Sequence, residues 1–186
     1  MKEKIREILS QRKKRVVTDI SLTPAGVLVP LFEKEGEYYI LLTKRTAKVE
    51  YHKGEISFPG GAYDERDGNL MLTALRETFE ELGLRAKDVE ILGELDDDIT
   101  TSNFVVSPFV GIIPYPYEFR ISQREIEELI EVPISALLDK NNFREEDTDY
   151  QGQLITSYVY EYQGHVIWGA TARILKQFLD LVFGGV

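Results

Sequence analysis

Two stretches that are apolar at almost every position, Ala25-Gly26-Val27-Leu28-Val29-Pro30-Leu31-Phe32 and Tyr38-Tyr39-Ile40-Leu41-Leu42-Thr43, constrain this chain more than any other feature. A strand with one face in water alternates apolar and polar residues, whereas a strand that is apolar throughout must be covered on both faces. The turn-like Glu35-Gly36 between the runs predicts a hairpin at the centre of a sheet, with one layer above it and one below. The expected architecture is an α/β/α sandwich. Residues 89–95 and 104–113 are strand-like too, and 125–132 suits a strand or a helix, with Pro133 opening a short helical turn through Leu138. Gln153–Tyr162 and His165–Trp168 predict a second hairpin around Gln163-Gly164. The spacing of Ile174, Leu175, Phe178, Leu179 and Val182 predicts a closing helix from Gly169 to about Phe183. No internal repeat, low-complexity tract or linker interrupts residues 1–186, which read as one α+β domain with a mixed central sheet.

The chemistry concentrates between Phe58 and Leu84. Asn69 suits a helix N-cap and Gly83 a left-handed terminator, so a helix is expected over about 70 to 82. On such a helix Glu77, Glu80 and Glu81 share one face, where three like charges invite a cation. Leu72, Leu75, Phe79 and Leu82 recur at helical spacing and are expected to bury the opposite side. Arg76, four residues before Glu80, is placed to pair with it and fix its carboxylate. Upstream, Phe58-Pro59-Gly60-Gly61 lets backbone approach a ligand closely, and Asp64, Glu65 and Asp67 add further acids. A cluster of hard oxygen ligands without His or Cys suits Mg²⁺ or Mn²⁺ rather than zinc, and such ions usually work on phosphates. The plain alternative is a solvated acidic helix face.

Composition adds boundaries. The chain is 43% apolar and 29% charged, as a globular protein is, and it has no cysteine, which excludes disulfides, thiolate zinc sites and cysteine nucleophiles. No apolar run reaches membrane-spanning length, so no membrane partner is expected and a cytoplasmic location is the default. The net charge of −10 is unevenly spread. Residues 1 to 15 hold seven basic side chains (Lys2, Lys4, Arg6, Arg12, Lys13, Lys14, Arg15) against Glu3 and Glu7, leaving a strongly acidic body that argues against nucleic-acid binding. Residues 1–20, with Ile5, Ile8 and Leu9 on one side, predict a basic amphipathic helix docked on the domain. A basic tail that touches substrate phosphates is the sharper alternative.

Here the residues carry a resemblance. The stretch from Gly61 resembles the Nudix box, Gly-x5-Glu-x7-Arg-Glu-U-x-Glu-Glu-x-Gly-U with U a bulky aliphatic. Gly61 matches the opening glycine, and Arg76, Glu77, Glu80, Glu81, Gly83 and Leu84 match the second half in register. Asp67 stands where Glu is expected, one extra residue separates it from Arg76, and Thr78 replaces the aliphatic. Upstream, Leu41-Leu42-Thr43-Lys44-Arg45, Gly54 and Phe58-Pro59-Gly60-Gly61 are similar to the signature of the coenzyme A pyrophosphatase branch, with Thr46 and Glu50 departing from it. Glu50 reverses the charge of the branch's arginine, with Lys48 and Lys53 near enough in sequence to compensate.

The resemblance implies the Nudix fold and a metal-dependent cleavage of the coenzyme A diphosphate into 3′,5′-ADP and 4′-phosphopantetheine. It implies Glu77, Glu80 and Glu81 as Mg²⁺ or Mn²⁺ ligands, completed by a carbonyl at Gly60 or Gly61. Glu77 is then the acid that orients or deprotonates the attacking water, and Arg76 fixes the carboxylates. Arg45, Gly60, Gly61 and His52 are candidates to contact substrate. Two other readings stay open: a diphosphohydrolase of another nucleoside diphosphate derivative such as ADP-ribose or a dinucleotide, favoured by Glu50, and a non-catalytic nucleotide-binding module, disfavoured by the presence of all three glutamates. Glu125, Glu127 or Glu128 could add a ligand from outside the box. Phe104, Tyr115, Tyr117 and Phe119 are candidates to stack on a base or are simply core, Asp96-Asp97-Asp98 is a turn or a lip of the pocket, and His165 is structural. A homodimer is compatible with all of this.

Overall fold

The two apolar runs form the expected hairpin. In the computed structural model, which describes residues 1–46, 54–150 and 153–184, β1 (Thr23–Lys34) and β2 (Glu37–Arg45) pair antiparallel, with Leu31 opposite Ile40 and Lys34 opposite Glu37. Glu35 and Gly36 take φ of 55° and 81°, as a tight turn between right-twisted strands requires. Away from that turn β1 and β2 part. The fork between them is filled by β3 (Ile56–Ser57), which pairs with Thr43 and Lys44, and by β4 (Gly60–Ala62), which pairs with Ala25, Gly26 and Val27. On its other edge β1 runs parallel to β7 (Phe104–Ile112), which pairs antiparallel with β5 (Glu90–Glu94) and β6 (Asp98–Ile99). The ambiguous stretch 125–132 is a strand, β8 (Ile126–Pro133), because it finds the free edge of β2.

Both faces of this mixed sheet are covered, which is why β1 and β2 are apolar at successive positions. Val29, Leu31, Ile40 and Leu42 enter one core with α1 (Lys2–Gln11) and α4 (Gly169–Phe183). Leu28, Phe32 and Leu41 enter a second core with Leu82 and Leu84 at the end of α2 (Leu70–Leu82). The architecture is the expected α+β sandwich, with the short α3 (Ile134–Leu138) following Pro133. A separate sheet of β9 (Phe143–Tyr150), β10 (Gln153–Tyr162) and β11 (His165–Ile167) packs on α4. β9 escapes the sequence reading because Arg144, Glu145, Glu146 and Asp147 are all exposed and leave no hydrophobic period. No described helix is long and apolar enough to cross a membrane.

The N-terminal helix stops at Gln11 rather than near residue 20. Ile5 and Leu9 are buried, while Arg12 turns extended and the chain becomes a strap. Asp96 and Asp97 hold the strap: Asp96 accepts from the Arg15 amide at 2.8 Å, and Asp97 from the Val17 amide at 3.0 Å. The basic side chains meet acids of the domain, Lys2 and Arg6 at Glu90, Arg12 at Asp96, and Lys14 at Glu94 and Asp97. These pairs engage four of the seven cations, Lys2, Arg6, Arg12 and Lys14, that the sharper alternative assigned to substrate phosphate. Asp98 forms a two-pronged pair with Arg173 of α4 at 2.9 and 2.7 Å, so all three consecutive aspartates fasten terminal segments to the sheet.

Candidate active site

The helix that carries the acids has the expected ends. The Asn69 side chain accepts from the Leu72 amide at 2.9 Å, and Gly83, at φ 70°, donates its N–H to the Phe79 carbonyl. The buried face differs from the expectation. Leu75 and Leu82 are buried as expected, but Leu72 and Phe79 are 44% and 53% exposed, and Thr73, Ala74, Thr78 and Glu81 are buried in their place. Gly26 of β1 explains the change: a Cβ there would stand 2.2 Å from the Leu70 carbonyl oxygen. The helix backbone lies directly on β1, so only small residues fit between. Thr78, which departs from the aliphatic of the Nudix pattern, is fully buried with its hydroxyl donating to the Ala74 carbonyl at 2.7 Å.

This seating turns Glu77 and Glu81 toward the fork. Glu81 is 2% exposed; the Gly60 amide donates to its Oε2 at 3.3 Å, and Arg45 Nη1 stands 3.4 Å from its Oε1. Burial pushes the Glu81 carboxyl up to about 8, with Arg45 and the Gly60 amide pulling it down and the charges of Glu125 and Glu77 adding to the rise. Glu77 is half-buried and shifted upward by the same burial, against the pull of Arg76. Its carboxylate occupies the space a side chain at Gly61 would need, since a Cβ there would lie 2.5 Å from Glu77 Cδ. Glu80 is exposed and leans on Arg76.

Arg76 organises the acids around it. Its Nε and Nη2 donate to the two oxygens of Asp67 at 2.7 and 3.0 Å, and its Nη1 donates to Glu77 at 2.8 Å and to Glu80 at 3.3 Å. Asp67, the residue found where the box has Glu, also accepts from Thr73 Oγ1 at 2.8 Å, and Arg76 holds its carboxyl below the ordinary range. The Arg76–Glu80 pair expected from spacing is therefore one arm of a larger clamp.

Arg45 ends β2 inside the fork. Its Nε is buried and has no acceptor among the described residues, a donor left over beside the acids. Of the three outer glutamates, the tertiary structure singles out Glu125: its backbone carbonyl accepts from the Thr46 amide at 2.8 Å, and its charge acts on both Glu77 and Glu81. Glu127 pairs with Lys44 at 3.1 Å, and Glu128 faces His165 at 3.6 Å. No spacing rule within the box could have picked Glu125, because β8 reaches the site only through its pairing with β2. His52, Glu50, Lys48 and Lys53 lie outside the described residues. Tyr115 stacks on Phe32, and Tyr117 contacts Phe119 while its hydroxyl donates to Asp88, so these rings serve the core and its margin.

Among the described residues no three acidic or histidine side chains converge closely enough to grip a metal ion, because Glu80 is drawn to Arg76 and Glu81 to Gly60 and Arg45. In kind the donors fit a hard divalent cation. Burial and the charge of Glu125 raise the proton affinity of Glu77 and of Glu81, the electrostatic condition that a bound cation relieves.

A forked mixed sheet roofed by an acid-bearing helix defines a recognised class. A NUDIX domain model matches residues 22–151, and the chain belongs to the Nudix family. It is a pyrophosphohydrolase of that family. The chain is 35% identical over 158 residues to the uncharacterized Nudix hydrolase NudL of Photorhabdus laumondii, covering 85% of this chain and 84% of that relative. It is 36% identical over 153 residues to NudL of an Enterobacter species, 82% of this chain and 79% of the relative. Among solved structures, a Nudix hydrolase from Alicyclobacillus acidocaldarius superposes with a TM-score of 0.59 at 18% identity, over 87% of this chain and 91% of that one, a likeness of fold alone.

Proposed function

We propose that this hydrolase cleaves the diphosphate linkage of coenzyme A or its acyl derivatives, releasing 3′,5′-ADP and 4′-phosphopantetheine or its acyl form. The observation that carries the reading is the physical unity of the upstream signature. Thr43 is fully buried and donates to the Ser57 carbonyl at 3.1 Å, which staples β2 to the strand leading into Phe58-Pro59-Gly60-Gly61. Two residues on, Arg45 reaches Glu81 and keeps a spare buried donor. Signature and box thus meet in one cleft, a cation for the diphosphate on one wall and carboxylates on the other.

The two phosphorus centres of a diphosphate are shielded by anionic oxygens, so charge must be neutralised and a water aimed in line. Glu77, Glu80, Glu81 and a backbone carbonyl at Gly60 or Gly61 would hold Mg²⁺ or Mn²⁺, which supplies that neutralisation and acidifies water. Arg76 orients Glu77 and Glu80 through its shared donors. Arg45 offers its partly exposed guanidinium to a non-bridging phosphate oxygen. Glu77, half-buried and with raised proton affinity, takes the proton of the attacking water on a carboxylate oxygen. A cytoplasmic setting and a homodimer belong to the same reading, and light scattering tests the latter.

Product chromatography with Mg²⁺ and with Mn²⁺ over coenzyme A, acetyl-coenzyme A, ADP-ribose, NADH and diadenosine polyphosphates tests the substrate. The highest kcat/KM for coenzyme A, with 3′,5′-ADP as product, supports it. The second reading, ADP-ribose or a dinucleotide, rests on Glu50, whose charge opposes the branch pattern, and it wins if one of those compounds is turned over best.

A further inference from the structure

Two threonines of α2, Thr73 and Thr78, are fully buried, and their hydroxyls take different partners. A buried hydroxyl on a helix ordinarily donates back to the carbonyl four residues earlier, as Thr78 does at Ala74. Thr73 has that acceptor too, the Asn69 carbonyl, but at 3.3 Å; its closer partner is Asp67 Oδ2 at 2.8 Å. A hydroxyl has one proton to give, and both distance and the charge of the carboxylate direct it to Asp67. Asp67 closes the turn Glu65–Asp67 that precedes the helix, where its Oδ2 also accepts from the Asp64 amide at 3.3 Å. Its side chain is 7% exposed. It is one methylene shorter than the glutamate of the Nudix pattern and one residue further from Arg76, yet it meets the guanidinium with both oxygens, at Nε and Nη2. Thr73 lies three residues before Arg76, on the same side of α2, so it grips Asp67 one turn below the guanidinium. Two points of attachment on one helix fix the plane of the carboxylate, whereas a single one leaves it free to turn.

We propose that Thr73 is a positioning residue of the hydrolase: its hydroxyl sets Asp67, and Asp67 sets the direction in which Arg76 serves Glu77 and Glu80. The geometry of Arg76 gives the reason. With Nε and Nη2 turned to Asp67, Nη1 serves the glutamates and is divided between Glu77 at 2.8 Å and Glu80 at 3.3 Å. A guanidinium released from Asp67 turns a two-pronged face to one of these glutamates and holds it against any cation. Thr73 acts only through Asp67. A threonine that merely satisfies its own hydroxyl would affect stability and nothing at Arg76. The proposal rests on the roles given above to Glu77 and Glu80, and not on the identity of the substrate.

Thr73→Val keeps the shape and removes the hydroxyl. Mn²⁺ titration followed by electron paramagnetic resonance needs no substrate, and the Kd is expected to rise about 10-fold in this variant. With the compound that gives the highest kcat/KM in the substrate screen, kcat at saturating Mn²⁺ falls about 10-fold and KM changes less than about 2-fold. Thr73→Ser restores most of both losses. Thr78→Val, the same substitution at the back-bonded threonine, leaves both values unchanged. Asp67→Ala is then compared with and without Thr73→Val: once Asp67 is gone, loss of the hydroxyl lowers kcat no further. Losses that add in the double variant overturn the proposal, as do wild-type Mn²⁺ binding and turnover in Thr73→Val, or an equal loss in Thr78→Val. If Thr73→Val does not fold, Thr73→Ala against Thr73→Ser carries the same comparison. Wild-type Mn²⁺ affinity in both Glu77→Gln and Glu80→Gln overturns the ligand assignment of those acids, whereas the coupling of Thr73 to Asp67 in kcat still decides the positioning role.

Discussion

Glu81→Gln in the metal-free protein isolates the electrostatic cost of the site. Glu81 is 2% exposed and its carboxyl is pushed up to about 8 from an ordinary 4.5. The folded state therefore holds a proton that the unfolded chain releases. Stability is fully present below about pH 4.5, falls as pH rises toward 8, and is flat above that. The whole loss amounts to about 5 kcal/mol. The attraction to Arg45 is already contained in that loss, so glutamine recovers nearly all of it, about 4–5 kcal/mol at pH 9, or about 8–20 °C in Tm for a chain of this length. At pH 5 wild type and variant melt together, because the buried acid is already neutral. Thermal unfolding followed by circular dichroism in EDTA, at pH 5 and pH 9, measures both differences. Adding Mn²⁺ to wild type at pH 9 narrows the gap, since a bound cation removes the reason for holding the proton. A Tm difference that is the same at both pH values, or a variant that melts below wild type at pH 9, refutes the reasoning.

Other perturbations test the geometry piece by piece. Gly61→Ala drives a Cβ to 2.5 Å from Glu77 Cδ, so kcat should fall about 100-fold with an unchanged far-ultraviolet spectrum. Phe79→Ala should cost less than about 1 kcal/mol in urea unfolding and Leu82→Ala about 2–5, because Phe79 is 53% exposed and Leu82 0%. The reverse order would mean that α2 is seated on another face. Arg76→Lys keeps the charge but loses the fork that spans Asp67 and Glu77; kcat should drop about 10- to 100-fold while Tm changes little. Glu80→Gln should abolish turnover without loss of Tm, and near-normal activity in that variant removes Glu80 from the metal ligands.

Much of the scaffold is legible in the chain itself, and the site only in part. Every residue of the runs 25–32 and 38–43 needed cover, which dictated a sheet with layers on both sides, and Val29 and Leu28 now sit in opposite cores. Asn69 and Gly83 set the ends of α2, and Gly169 and Phe183 those of α4, because caps and periodicity are local. The polar β9 left no such trace. Which face α2 buries was decided elsewhere: Gly26, far away in sequence, lets the helix backbone touch β1, which favours Thr73, Ala74 and Thr78 over Leu72 and Phe79 at the contact. The same seating buried Glu81 and raised its proton affinity. Strand pairing brought Arg45 and Glu125 to it, and the acids of β5 and the following loop claimed the N-terminal cations. Local pattern fixes what each segment can become, because caps and hydrophobic periods act within a few residues. Burial and charge neighbourhood depend on which distant segments arrive, so only the tertiary structure decided how Glu77, Glu81, Arg45 and Glu125 share one cleft.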